Sequence, residues 1–228
     1  ASFVAVTVLI PFLLERTKDG HPTPEGRKFI NSVFSVFLFA ITVVSLALFF
    51  LVPSIARPLV PGFTESEFDL YVLLTRILLL SPLLLGVSNL FGSITQSLRR
   101  FVVFAAGPVL YNIGILFGIF FLLPTRGIEG VVWGVILGAL LHVLIQLPVL
   151  FSEHFVPRLT FHLDRTAVFR VITLSIPRTV ALSIGQVATI ILVFFASGMT
   201  AGSIAVFTLA MNLQSIPLSV VGMSYSVA

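Results

Sequence analysis

Long apolar runs alternate with short polar stretches from one end of the chain to the other. Seven runs stand out, at residues 1–14, 29–52, 69–97, 103–123, 129–151, 167–197 and 203–228. As a helix at ~1.5 Å per residue, 29–52 extends about 36 Å, enough to cross a bilayer core with some tilt. The polar connections are short, so neighbouring helices are expected to pack antiparallel. The first and last runs read as incomplete helices. Residues 1–11 lack the basic start and small-residue cleavage site of a signal peptide, and 219–228 stop inside an apolar run. The chain is therefore expected to be a fragment of a larger protein.

Basic residues fall in alternate connections. The first carries Arg16, Lys18, Arg27 and Lys28; the third carries Arg99 and Arg100; the fifth carries Arg158 and Arg165, with Arg170 just beyond. The second has Arg57 alone, the fourth Arg126 alone, and the sixth none. Nine basic residues thus lie on one side and two on the other, and by the positive-inside rule the first, third and fifth connections are cytoplasmic. One span more or fewer would break the alternation.

Composition agrees. The 228 residues are 57% hydrophobic and only 10% charged, against about 25% charged in soluble domains, and the mean hydropathy is +1.14. The expected fold is an all-α, polytopic transmembrane bundle. A pI near 10.1 could suggest nucleic acid, but topology already accounts for the basic loops. With no cysteine, disulfides and thiolate metal sites are excluded.

The stretch 73–112 is unusual. Two apolar segments, one with Ser81-Pro82 and the other with Gly107-Pro108, flank the basic turn at Arg99 and Arg100. Further prolines sit at Ile176-Pro177-Arg178 and Ser215-Ile216-Pro217. Proline-interrupted helices free carbonyls that can line a cavity in transporters. Polar residues inside spans are costly and point to function; here they are Arg76, Asn89, Gln96, Asn112, His142, Gln146, Arg178, Gln186, Asn212 and Gln214. Arg76 lies near a span end, where it can snorkel; Arg178 lies deeper. His142 and Gln146, one turn apart on one face, suit either an interhelical hydrogen-bond pair or a proton relay. Arg99 and Arg100 set topology and can also touch anionic headgroups. Gly130, Gly134 and Gly138, four residues apart, read as a close-packing face. In the second connection, Glu65, Glu67 and Asp69 suit the start of a helix. Catalytic and metal patterns are absent: all nine acids lie in loops or at span ends, and His21, His142, His154 and His162 are scattered. No catalytic residue, metal or cofactor is expected.

Read in order, several pieces resemble the MurJ/MviN family of the MOP exporter superfamily. The run from Gly92 to Phe101, with Gln96, Arg99 and Arg100, is followed by Gly107-Pro108 and Asn112. Val60-Pro61-Gly62-Phe63 is similar to the family's APGF turn, and Leu74-Thr75-Arg76-Ile77 to its LTRI. Gly130 to Gly138 with Trp133, then Gln146-Leu147-Pro148, follow its glycine-rich helix, with His142 at a family glutamine. Ser175-Ile176-Pro177 with Gln186, and Asn212-Leu213-Gln214 to Pro217 with Gly222, fit the next two helices.

The resemblance implies a lipid II flippase working by alternating access in the bacterial cytoplasmic membrane, as a monomer, with a lipid-linked anionic glycolipid and membrane lipids as partners and no nucleic acid. It places the chain on the second to eighth of about fourteen helices. On that basis 1–151 is the remainder of an N-terminal lobe, 152–166 the cytoplasmic inter-lobe connection, and 167–228 the first two helices of a C-terminal lobe. Asn212 stands where the family carries a cavity arginine, and Arg178 where it carries a small residue, so Arg178 is expected to replace part of the missing charge. The substrate-cavity candidates are Arg178, Asn212, Gln186, Asn112, Arg76 and Asn89. The alternatives are another MOP-type exporter of oligosaccharide-lipids or drugs, a membrane enzyme acting on lipid-linked sugars, and a structural subunit.

Overall fold

The computed structural model describes residues 17–18, 21–200 and 202–217, with the backbone alone at 17–18, 21–22, 178 and 182. The apolar run 1–14 lies outside the described residues, as does the end of the last run. A two-residue antiparallel hairpin, β1 (Thr17–Lys18) with β2 (His21–Pro22), precedes an all-helical chain. The helices are α1 (Pro24–Leu59), α2 (Glu65–Leu78), α3 (Leu80–Ser97), α4 (Phe101–Phe117), α5 (Leu123–Arg126), α6 (Ile128–Leu144), α7 (Leu147–Ser152), α8 (Arg165–Ser197) and α9 (Ser203–Pro217), with a π-helical turn, Gly118–Leu122, joining α4 to α5.

Five spans are long and apolar enough to cross a membrane: Pro24–Leu59, Glu65–Ser97, Phe101–Arg126, Ile128–Ser152 and Arg165–Ser197. They coincide with five of the seven apolar runs, and α9 is a shorter apolar helix within the seventh. The fold is an all-α polytopic bundle. Large apolar side chains such as Phe39, Val102 and Phe120 are exposed. In a bilayer this costs little, because lipid tails are as apolar as leucine.

Prolines break the helices less than their sequence positions suggest. Ser81-Pro82 follows an interruption at Leu79 between α2 and α3, and Leu147-Pro148 one at 145–146 between α6 and α7, whereas Pro108 and Pro177 lie inside continuous helices. The π turn immediately precedes Leu123-Pro124, and such a turn relaxes the register ahead of a residue that cannot donate.

The chain forms two compact units. One comprises 1–52 and 73–181. Its α4–α6 seam is built on glycine. A Cβ on Gly134 would stand 2.6 Å from Gly118 Cα and 2.9 Å from the Gly114 carbonyl oxygen; one on Gly138 would collide with the Tyr111 carbonyl, and one on Gly130 with Leu122. The expected packing face at Gly130, Gly134 and Gly138 is thus a backbone-to-backbone contact. A separate cluster joins Phe29, Ile30 and Val33 of α1 to Leu90, Phe91 and Ile94 of α3, Leu150 of α7, Phe155 and Ala167.

The other unit comprises 53–72 and 182–228. Its α1–α2 turn is fixed by a bidentate Arg57–Glu65 pair, with the guanidinium 4.7 Å from the centre of the Phe68 ring. Thr64 and Glu67 form a reciprocal capping box at the start of α2. Gly62 lies so close to the Ser197 carbonyl that no side chain fits. Glu65 therefore acts as an ion-pair partner and Glu67 as a cap.

Candidate functional site

Inside the first unit, α3, α4 and α6 enclose a cluster of polar side chains in an apolar setting. Ser88 is fully buried and Gln146 is 1% exposed. The Ser88 hydroxyl donates to the His142 carbonyl at 2.8 Å and lies 2.5 Å from His142 Nδ1. Gln146 Nε2 donates to Ser88 Oγ at 2.5 Å and to the His142 carbonyl at 2.9 Å. One arrangement of protons satisfies these groups: Nδ1–H and the amide both donate to Oγ, whose own proton goes to the carbonyl. Nε2 of the imidazole then lies against Gly107, where a Cβ would stand 2.8 Å from it. Gly107 is small because His142 fills the space in front of it, while a Cβ on Gly92 would press on the Phe104 ring at 3.2 Å and reach Gln146 Oε1 only at an ordinary contact distance of 3.5 Å. The expected His142–Gln146 pair is real, and Ser88 of α3 joins it across the helix interface.

Gln146 Oε1 has no partner among the described residues. A contrast follows. Gln146→Met removes this orphaned acceptor, and the two acceptors it serves keep other partners, so the melting temperature in detergent is expected to stay within error or rise. Ser88→Ala strips the shared oxygen from both His142 Nδ1 and Gln146 Nε2 and is expected to cost about 1–2 kcal/mol. Thermal unfolding of the two variants side by side checks both.

Arg76 has a specific task. Pro53 has no N–H to donate to the carbonyl of Phe49 four residues earlier. Arg76 Nε donates to that carbonyl at 3.1 Å, and its guanidinium sits 4.9 Å from the centre of the Phe49 ring. The freed carbonyl is therefore answered by a side chain from the next helix. Arg76→Met leaves it unmatched and is expected to lower stability by about 1–3 kcal/mol, read as a fall in melting temperature.

The connections carrying Arg27, Arg100 and Arg158 meet at one end of this unit. The backbone N–H groups of Arg158, Thr160 and Asp164 donate to Asn31 Oδ1 (2.8 Å), Ser35 Oγ (2.8 Å) and Ser32 Oγ (2.9 Å). Three polar residues on one face of α1 thus hold the segment leading into α8, and Asp164 caps α8 by accepting from Ala167 N–H. Sequence reasoning did not single out Asn31, Ser32 or Ser35; their spacing at i, i+1 and i+4 was the available signal. Arg100 pairs with Glu153 at 2.8 Å.

The six cavity candidates are dispersed. Asn89 is half-buried, and Asn112, Gln186 and Asn212 are exposed. Arg76, Asn89 and Asn112 share one unit with no hydrogen bond joining them, and the same holds for Gln186 and Asn212 in the other. Arg178 lies in α8, but its side chain is outside the described residues. Among the described residues no group of His, Asp and Glu could hold a metal ion.

Comparison with known proteins gives a consistent answer. A family model described as "Lipid II flippase MurJ" matches residues 5–228. The chain is 29% identical over 223 residues to a probable lipid II flippase MurJ of Buchnera aphidicola, covering 95% of this chain and 43% of that protein. It is 25% identical over 233 residues to a probable lipid II flippase MurJ of Bdellovibrio bacteriovorus, covering 99% and 44%. A lipid II flippase MurJ of Burkholderia cenocepacia is 25% identical over 224 residues, covering 94% and 43%. The chain spans less than half the length of these relatives.

Proposed function

The chain belongs to the MurJ lipid II flippase family, and on that premise we propose that the protein carries lipid-linked peptidoglycan precursor across the bacterial cytoplasmic membrane by alternating access. The family match carries this reading, because it runs without a break through all five described spans. The protein is read as a transporter of a lipid-linked anionic glycolipid, and this chain as its second to eighth helices, divided into lobe remainder 1–151, connection 152–166 and helices 167–228.

Three features of the fold support a moving-lobe mechanism. The α4–α6 backbone contact makes part of one unit rigid. Proline-freed backbone is answered within the protein at Arg76, so a helix can carry a break without facing lipid. The segment entering α8 is held by side chains of α1, which can exchange partners more readily than a helix can unfold. Arg178, Asn212, Gln186, Asn112 and Asn89 remain the proposed cavity residues, with Arg76 assigned to its carbonyl.

Complementation tests the proposal. The complete gene, expressed in a conditional flippase-deficient strain, is expected to restore growth and to expose lipid II on the outer leaflet. Good membrane expression without either result would overturn it.

A further inference from the structure

From the basic end of the first unit we infer that the protein has a binding site for a phosphate group at the membrane boundary, apart from the cavity candidates. Two adjoining clefts, of about 120 and 480 Å³, share Arg27, His154, Val156 and Arg158 as walls. The smaller adds Ile30, Asn31 and Phe155, and the larger adds Phe151.

The clefts are basic, with two arginines and a histidine in their walls and no carboxylate. Among the described residues, neither Arg27 nor Arg158 makes an ion pair. Glu153 and Asp164, on the segment that carries His154 and Arg158, are committed elsewhere: Glu153 to Arg100, and Asp164 to the cap of α8. Asn31 Oδ1 accepts from the backbone N–H of Arg158, which fixes that arginine's place in the wall. Two guanidinium groups and an imidazole facing open space suit an oxyanion with more than one charge, since guanidinium forks match phosphate oxygens.

His154 supplies a second, independent observation. It sits at φ +55°, just past the end of α7. Its N–H bonds the Phe151 carbonyl, and the Phe155 N–H bonds the Leu150 carbonyl, the pattern of a Schellman turn, in which glycine is strongly favoured. A side chain kept there at a conformational cost points to use of that side chain. The apolar floor of Ile30, Val156 and Phe155 runs out to Phe151, which is exposed at the end of a membrane span. A ligand with a phosphate at the head of an apolar chain fits both surfaces. The phosphate can belong to a lipid headgroup or to a free inorganic phosphate. The inference goes beyond the flippase reading and does not depend on which lipid is carried.

The test uses the full-length protein in detergent micelles, titrated with dihexanoyl-phosphatidylglycerol, dihexanoyl-phosphatidylcholine and inorganic pyrophosphate. Wild type is expected to prefer the glycerol lipid over the choline lipid. The Arg27→Ala/Arg158→Ala double variant, with an unchanged melting temperature, is expected to bind it about tenfold more weakly. His154→Gly relieves the backbone, so its melting temperature should hold or rise while binding weakens. Pyrophosphate that competes over the same range assigns the site to free phosphate; lipid binding that pyrophosphate does not displace assigns it to a headgroup. Equal binding by wild type and double variant would overturn the inference, as would wild type that neither prefers the glycerol lipid nor binds pyrophosphate. If the double variant melts early, the charge-keeping Arg27→Lys/Arg158→Lys variant replaces it, and full loss of binding there despite a normal melt would also count against a simple charge site. Transport is not read, so this test and the complementation test fail independently.

Discussion

Gly134→Leu should yield no folded protein. At this position the obstacle is backbone: a Cβ would meet Gly118 Cα at 2.6 Å and the Gly114 carbonyl oxygen at 2.9 Å. A flexible side chain can step aside, but a helix backbone moves only if the whole helix moves. Moving α4 away from α6 would open the Gly114–Gly138 and Leu122–Gly130 contacts too, because all lie along the same seam. Overpacking a core by a few methylenes ordinarily costs about 1–3 kcal/mol, and a contact that cannot relax costs more. Gly134→Ala already places the Cβ against that backbone, so it is expected to cost at least the upper part of that range and to lower the melting temperature markedly; Gly134→Leu should lose the monodisperse peak in size-exclusion chromatography. A Leu variant that ran and melted like wild type would mean the two helices do not touch through their backbones.

That seam was legible in the sequence because it is periodic. Three glycines four residues apart on an apolar helix leave few other readings, and the partner glycines Gly114 and Gly118 repeat the spacing. The spans were legible for a similar reason: a bilayer imposes a length, and five of the apolar runs match it. Family membership showed in the order of short motifs, none of which is specific alone.

The missed features depend on which residues meet, and one-dimensional patterns do not carry that information. Ser88 passed as one more small residue in an apolar run, yet it is the hub of the buried cluster with His142 and Gln146. Arg76 looked like a residue reaching for the membrane surface; its partner is a carbonyl released by a proline on another helix, 27 positions away. Asn31, Ser32 and Ser35 bond segments more than 120 positions distant. The prolines misled in the opposite direction. Pro108 and Pro177 were read as breaks, but a helix with packed neighbours tolerates the missing donor.

Arg178→Ala in the complete protein should abolish rescue of a flippase-deficient strain. Arg178 lies in α8, 13 residues beyond Arg165 at the helix start, or about 20 Å along the axis. Insertion scales charge an arginine at the middle of a membrane helix about 2.5–3.5 kcal/mol, and a charge held that deep needs a reason. The proposed flippase reading supplies one: an anionic diphosphate needs cations along its path, and Asn212 is neutral where the resemblance implies an arginine. If the charge is what matters, Arg178→Lys should rescue in part. Placing the charge back at the family position, as Asn212→Arg in the Arg178→Ala background, should restore growth further. Comparable membrane levels of all variants, measured by immunoblot, separate loss of function from loss of protein. Full rescue by Arg178→Ala would show that no cation is needed there. Failure of Lys and of the relocated arginine alike, at normal expression, would tie the requirement to the shape of the guanidinium at that one position.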